Sequence, residues 1–130
     1  MKKDFQLAEE STVVSGRSIA NNICGVVLES DTTLANRVLS VENDGGKVRF
    51  SWNHERLSFD AKLIEAFDIV SLYNLGERFL AATITFSSNS ESLRYSFVVI
   101  HESHETWLRK LAEEIGEVIG HPPADLVGNV

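Results

Sequence analysis

Cysteine is almost missing from this 130-residue chain, where Cys24 stands alone. A single thiol cannot close an intramolecular disulfide, so a reducing compartment is the natural setting. Proline is nearly as scarce. Pro122 and Pro123 are the only two, and both follow the last periodic segment, so nothing resembling a linker interrupts residues 17–120. No apolar run approaches the ~18 residues that span a bilayer. Lys2 and Lys3 are not followed by the apolar stretch of a signal peptide, and the expected location is cytoplasmic. Positive charge is the rarer sign: 12 Lys and Arg stand against 19 Asp and Glu, a net charge of -7. Such a surface repels phosphate backbones and anionic headgroups. It argues against nucleic acid and membrane as partners and leaves a protein or peptide. Recognisable catalytic motifs are missing as well. There is no Gly-x-Ser-x-Gly elbow, no Cys-x-x-Cys pair and no His-Glu-x-x-His helix. Asp44-Gly45-Gly46 is too short for a phosphate loop and lacks the lysine that ends one. The expectation is a protein that is not an enzyme and uses no cofactor or metal.

What is present is ordinary globular composition, 43% apolar and 24% charged, enough to bury a core without metal or disulfides. Residues 1–17 are polar apart from Val13-Val14 and read as a loose N-terminal extension, or as a strand completed by a partner. Residues 18–121 read as one domain and 122–130 as a C-terminal tail. The clearest local signal is a hairpin. Leu39 and Val41 alternate with polar residues, Asn43-Asp44-Gly45-Gly46 supplies residues that tolerate positive φ, and Val48, Phe50 and Trp52 resume the alternation. After a second turn at Asn53-His54-Glu55, Leu57 and Phe59 continue it. A second hairpin has Leu80, Ala82, Ile84 and Phe86 on one face and Phe79, Ala81, Thr83 and Thr85 on the other. A polar loop over residues 87–92 follows, then a return strand with Leu93, Tyr95, Phe97 and Val99 sharing a face. The last element is an amphipathic helix with Ser103 as N-cap. Its stripe is Trp107, Leu108, Leu111, Ile115, Val118 and Ile119, and Gly120 ends it.

Two short apolar stretches, residues 19–28 and 62–73, fit either a strand or a helix by periodicity, and the strand is preferred in both. Seven strands then precede one helix, with centres near Val27, Leu39, Phe50, Leu57, Ile69, Ile84 and Phe97. That order is similar to the pleckstrin-homology-like (PH-like) barrel. Tyr95-Ser96-Phe97-Val98-Val99-Ile100 followed by Trp107-Leu108-Arg109-Lys110-Leu111 resembles that family's last strand and tryptophan-bearing helix. The segments Gly25-Val26-Val27-Leu28, Arg37-Val38-Leu39 and Gly46-Lys47-Val48-Arg49-Phe50 are loosely similar to its opening strands. The resemblance implies a mainly β barrel of about seven antiparallel strands closed by the helix, and a binding module. The family's phosphoinositide sites use basic residues on the first two strands. Here residues 25–39 carry only Arg37, against Glu29 and Asp31. The protein-binding branch is implied, with the barrel's loops or a groove beside the C-terminal helix as the surface, and a monomer. The helical reading of the two ambiguous stretches gives an α+β order similar to the type III secretion chaperones, which are small, acidic and usually dimeric. An immunity-type inhibitor of a basic toxin also suits the charge.

Candidate functional residues are few. Arg37, Lys47 and Arg49 fall on the outward face of the first hairpin and could contact an acidic peptide, or simply balance Glu42 and Asp44. Trp52 and His54 share a turn with Glu55 and Arg56, a possible ligand site or an ordinary hairpin end. His101, His104 and Glu105 form the densest set of metal-ligand residue types, but spacing indicates no further ligand, and a polar strand–helix connection explains them. Cys24 sits among apolar neighbours and reads as a buried structural thiol.

Overall fold

The computed structural model describes residues 1–7, 17–19, 38–52 and 55–125. Two antiparallel sheets face one another, and a helix covers the opening between them. The first has the order β1 (Lys2–Gln6), β3 (Val38–Asp44), β4 (Lys47–Trp52), β5 (Glu55–Asp60). The second has the order β2 (Arg17–Ile19), β8 (Glu91–His101), β7 (Glu77–Ser88), β6 (Ile64–Asn74), β9 (Ala124–Asp125), and only β9 runs parallel to its neighbour. Helix α1 (Glu105–Ile119) packs on β3 and β1 of one sheet and on β6, β7 and β8 of the other.

The period-two patterns place the core. Phe5 is registered with Leu39, Val41 with Phe50 and Phe50 with Leu57, and Val48 lies opposite Phe59. All of these are buried, and they meet Phe67, Ile69, Leu80, Ala82, Ile84, Phe86, Phe97, Val98 and Ile100 of the second sheet. Aromatic rings stitch the two layers together. Phe50 stacks on Phe97 with centroids 5.0 Å apart, and Phe59 stacks on Phe86 at 4.4 Å. Offset aromatic pairs at such spacings add about 1 kcal/mol each beyond the area they bury. Leu108, Leu111, Ala112, Ile115, Val118 and Ile119 of α1 complete the same core.

The turns follow from local chemistry. Two-residue links at Gly45-Gly46, Leu75-Gly76 and Asn89-Ser90 all have positive φ, which matches the twist of tight hairpins. Asn43 works on both sides of the first turn. Its Oδ1 accepts the Gly46 N–H at 3.0 Å, and its Nδ2 donates to the Val118 carbonyl in the last turn of α1 at 3.1 Å.

Several sequence expectations need correction. Residues 1–17 are not loose throughout: Lys2–Gln6 is a strand paired to β3 within this chain, and Phe5 and Leu7 are buried in the core. For residues 62–73 the preferred strand forms and the helical alternative does not: after a 3-10 turn at Ala61–Leu63, Ile64–Asn74 pairs with β7 with one register shift between Ile64 and Ala66, and its middle, buried on both faces, loses alternation. The α+β order of the secretion chaperones is lost with that helix. The mainly β fold with one C-terminal helix is observed, but the described strands form two sheets and no closed barrel. The polar loop expected over residues 87–92 shortens to the turn Asn89-Ser90, with Ser87, Ser88, Glu91 and Ser92 inside the strands. A register shift pairs Ala82 with Val98 but Thr83 with Ser96. The extra residue turns Phe97 and Val98 both inward and leaves Val99 on the opposite face from Phe97. Ser103 is not the helix cap. His101 accepts the Ser103 N–H at 3.1 Å, and a 3-10 turn at Glu102–His104 leads into α1. The tail at 122–130 begins by pairing: Ala124 is in register with Asp68. Residues 20–37, with Cys24 and the strand centred on Val27, lie outside the described residues.

Gly116 sits in the middle of α1, where glycine costs about 1 kcal/mol against alanine. The chain after the helix explains it. Gly120 turns left-handed (φ 75°) and donates to the Gly116 carbonyl at 2.9 Å, as does His121 at 3.1 Å. The chain then doubles back so closely that a Cβ on Gly116 would lie 2.9 Å from the His121 oxygen and 3.1 Å from Pro123 Cδ. Gly116→Ala should therefore destabilise despite its better helix propensity, by about 1–3 kcal/mol, as overpacking against backbone does. A urea melt showing Gly116→Ala equal to or more stable than the parent contradicts this account.

Candidate functional site

The basic patch read from the first hairpin exists as a face but not as a positive site. Lys47 is registered with Asp44 on one side and Asp60 on the other, and Arg49 with Glu42 and Ser58. The Arg49 Nη1 lies 3.8 Å from Glu42 Oε1, and its Nε is buried without a hydrogen-bond partner among the described residues. Each cation is thus met by a carboxylate, giving a solvated, charge-balanced sheet face. Arg37 and His54 lie outside the described residues, as does the side chain of Trp52, so this face gathers only two of the five residues singled out.

The histidine segment is occupied by local structure. The His101 Nδ1 accepts from the Ser103 backbone and sits 2.9 Å from its hydroxyl, which leaves the ring proton on Nε2, 3.9 Å from Glu77. Glu105 is bonded at 2.7 Å to Arg109, which also grips Asp125 at 2.7 Å and so fastens β9 to the helix. Among the described residues no three metal-ligand side chains gather.

A concave site lies elsewhere, between the first strand and the helix. A groove of about 300 Å³ is lined by residues 3–6 of β1 and by Trp107, Lys110, Leu111 and Glu114 of α1. The helical residues follow i, i+3, i+4, i+7 spacing, so they form one ridge. Trp107 was expected in the buried stripe. It is only half-buried, because α1 meets the sheets through Leu108 and Leu111 and the indole stands at the rim. Opposite it, Lys3 and Phe5 point to the helix side. The Lys3 ammonium lies 5.3 Å from the Phe5 ring centroid and 3.9 Å from Glu114. Asp4 turns to the outer face, where the Ser40 hydroxyl donates to it at 2.6 Å.

The backbone of β1 adds a second feature. The Asn43 N–H donates to the Met1 carbonyl and the Met1 terminal ammonium donates to the Asn43 carbonyl, both at 2.8 Å, so they are a closely bonded antiparallel pair. Bonded and non-bonded pairs alternate. Lys3 and Phe5 therefore face β3 with their amides, while the N–H and C=O groups of Lys2, Asp4 and Gln6 point away from it. Among the described residues β1 pairs only with β3. Among the described residues the groove thus has an unpaired strand edge for one wall and an aromatic, mixed-charge ridge for the other. Sequence reasoning passed over Lys3, Phe5 and Leu7, although their alternation was a usable strand signal.

A second unusual region is the far face of the larger sheet. Asp68, Thr83 and Ser96 are registered in one row, and Thr85 and Arg94 in the next. Apart from the half-buried Arg94, all are buried. The Thr83 and Ser96 hydroxyls bond at 3.2 Å, and Arg94 Nε donates to Thr85 at 3.3 Å, while Arg94 Nη1 is buried without a partner among the described residues. Asp68 is 8% exposed. Burial pushes its carboxyl above the ordinary aspartate range, and the charges of Arg94 and His121 pull back only in part.

No family model, no curated protein and no solved structure matches this chain.

The raised carboxyl at Asp68 fixes a sign. The native state holds this proton to higher pH than the unfolded chain does, so stability falls as pH rises from the ordinary aspartate value through the raised one. Asp68→Asn, neutral throughout, should lack that fall. Urea midpoints measured from about pH 3.5 to pH 7 should show the variant gaining on the parent as pH rises. A constant offset between the two curves sinks the assignment.

Proposed function

We propose that this chain is a non-enzymatic peptide-binding module that takes an extended segment along the open edge of β1, beside α1. The observation that carries the reading is the phase of the β1 hydrogen bonds. Three residues, Lys2, Asp4 and Gln6, present donor and acceptor groups along an edge that opens on the groove. A strand added there gains main-chain bonds from the edge and side-chain contact from Trp107 and Leu111, which is the logic of strand addition. A volume of about 300 Å³ is at the small end of ligand pockets and suits one or two side chains of a longer segment better than a whole cofactor. The resemblance to the protein-binding branch of the PH-like family supports the same reading, since it implies a groove beside the C-terminal helix. The dimeric chaperone alternative depended on a helix at residues 62–73, where β6 stands.

The reading has a test that separates binding from folding. Proline at position 4 removes an edge N–H that β3 does not use, and edge strands tolerate proline there. Proline at position 3 removes a bond of the β1–β3 ladder. Peptides selected from a displayed random library should bind Asp4→Pro about tenfold or more weakly, with the thermal midpoint little changed, while Lys3→Pro should lower stability. Trp107→Ala should weaken the same peptides by about tenfold, as loss of an aromatic anchor does. Selected peptides that bind Asp4→Pro and Trp107→Ala as well as the parent would falsify the proposal.

A further inference from the structure

We infer that Tyr73 and Leu75, at the tip of the β6–β7 hairpin, form a contact knob for a second protein, one with a small apolar pocket rimmed by basic residues. Neither residue lines the groove, so the inference stands apart from the reading above. Leu75 marks the tip. It is 96% exposed and has φ 52°, and Gly76 beside it has φ 80°. A bulky side chain in this left-handed region is strained, because its Cβ crowds the following carbonyl oxygen. The other two tight turns among the described residues also have positive φ at both positions, and they are filled by Gly45-Gly46 and Asn89-Ser90. Glycine and asparagine accept that backbone readily. Leucine at position 75 does not, and it gains no burial to offset the strain. A residue that works against its own turn points to a role outside the fold.

Four large apolar side chains are exposed among the described residues: Met1, Leu63, Tyr73 and Leu75. Two of them meet at this turn, since Tyr73, 62% exposed, precedes Leu75 by two residues. Two adjacent side chains suit a pocket, as buried apolar anchors do at protein interfaces. Charge decides between a protein pocket and a lipid surface. The Glu77 side chain, which ends the turn, is 64% exposed, and that of Glu102 is 46% exposed. Arg78, registered with Tyr73, is already committed. Its Nε and Nη2 donate to the Ser71 hydroxyl at 3.2 and 2.9 Å, and its Nη1 lies 3.4 Å from Glu102. His101 Nε2, 3.9 Å from Glu77, balances that carboxylate only when protonated. The knob therefore carries an acidic collar on a molecule of net charge -7. Anionic headgroups repel such a collar, whereas basic residues around a pocket attract it.

Two measurements on the full chain test this. The first needs no partner. Leu75→Asn should raise the thermal midpoint by about 3–6 °C, because it relieves the turn and removes no buried contact. A midpoint that stays or falls shows that leucine serves the fold and overturns the inference. The second replaces Asn74 with photoreactive benzoylphenylalanine in cells that make the protein. A protein adduct should form, should disappear when Leu75→Asn is added and should persist with Leu75→Met. With the captured protein purified, Leu75→Asn and Tyr73→Ala should each weaken its binding about tenfold or more. Glu77→Lys should weaken it about fivefold, and affinity should fall several-fold between about 50 mM and about 300 mM sodium chloride. No adduct, or one that survives Leu75→Asn, overturns the knob. Binding indifferent to Glu77→Lys and to salt overturns the basic rim. Leu75-dependent binding to vesicles of phosphatidylcholine and phosphatidylserine at about four to one makes the partner a lipid surface and overturns the protein assignment.

Discussion

The contact between the two sheets, made by Phe50 against Phe97 and by Phe59 against Phe86, is what the remaining structure depends on. Each sheet has one apolar face that must leave water, and neither is long or curved enough to close on itself. Stacking the rings face to face sets the separation of the layers. Side chains of ordinary size then fill the space beside them: Leu39, Val41 and Val48 from one side, and Leu80, Ile84 and Ile100 from the other. The open end that remains is wide enough for one helix, and α1 enters with a continuous apolar stripe. Its position follows from this packing, and with it the position of Trp107 and of the groove wall.

The larger sheet is buried on both faces, and the two faces are built differently. Toward the core it offers aromatic and aliphatic rows. Away from it, Asp68, Thr83, Thr85, Arg94 and Ser96 form a polar cluster flanked by Val70, Ala81 and Val99. A hydroxyl pair at 3.2 Å repays its own desolvation. A carboxyl whose pKa burial raises, near a guanidinium nitrogen with no partner among the described residues, does not do so fully. This face therefore adds less to stability than its burial suggests.

Much of the fold was readable in the sequence. The first hairpin, the Leu80–Phe86 face and the helix stripe each carry one clear period, because each has one wet side. Reading failed where that condition failed. The stretch that includes Phe67, Asp68, Ile69 and Val70 is buried on both faces and lost its alternation, so periodicity left strand and helix both open there, although the preferred strand is the one that forms. Val99 was assigned to the face of Phe97, because a bulge changes parity and leaves no mark in composition. The first strand was missed because Phe5 and Leu7 are its only core residues, and its partner β3 lies more than thirty residues away. Of the groove, Trp107 and Leu111 were legible on the helix stripe, and Trp107 was placed in the core although it is half-buried. The residues chosen for charge, Lys47 and Arg49, were found with carboxylates opposite them, a cancellation that depends on register and cannot be seen along one strand.

An exposed strand edge is a hazard, since any passing strand can complete it, and lysines on the edge are a common protection. The same physics makes an edge selective. Covering a lysine of the edge with an apolar strand from another molecule desolvates its ammonium, a cost that only a nearby carboxylate offsets, as Glu114 does for Lys3. A strand that brings carboxylates removes that penalty and keeps the main-chain bonds. The nearby indole supplies the apolar contact that a charged edge lacks. A strand with so little core surface, Phe5 and Leu7 alone, is held against β3 by its five-residue ladder and meets α1 through the Lys3–Glu114 pair.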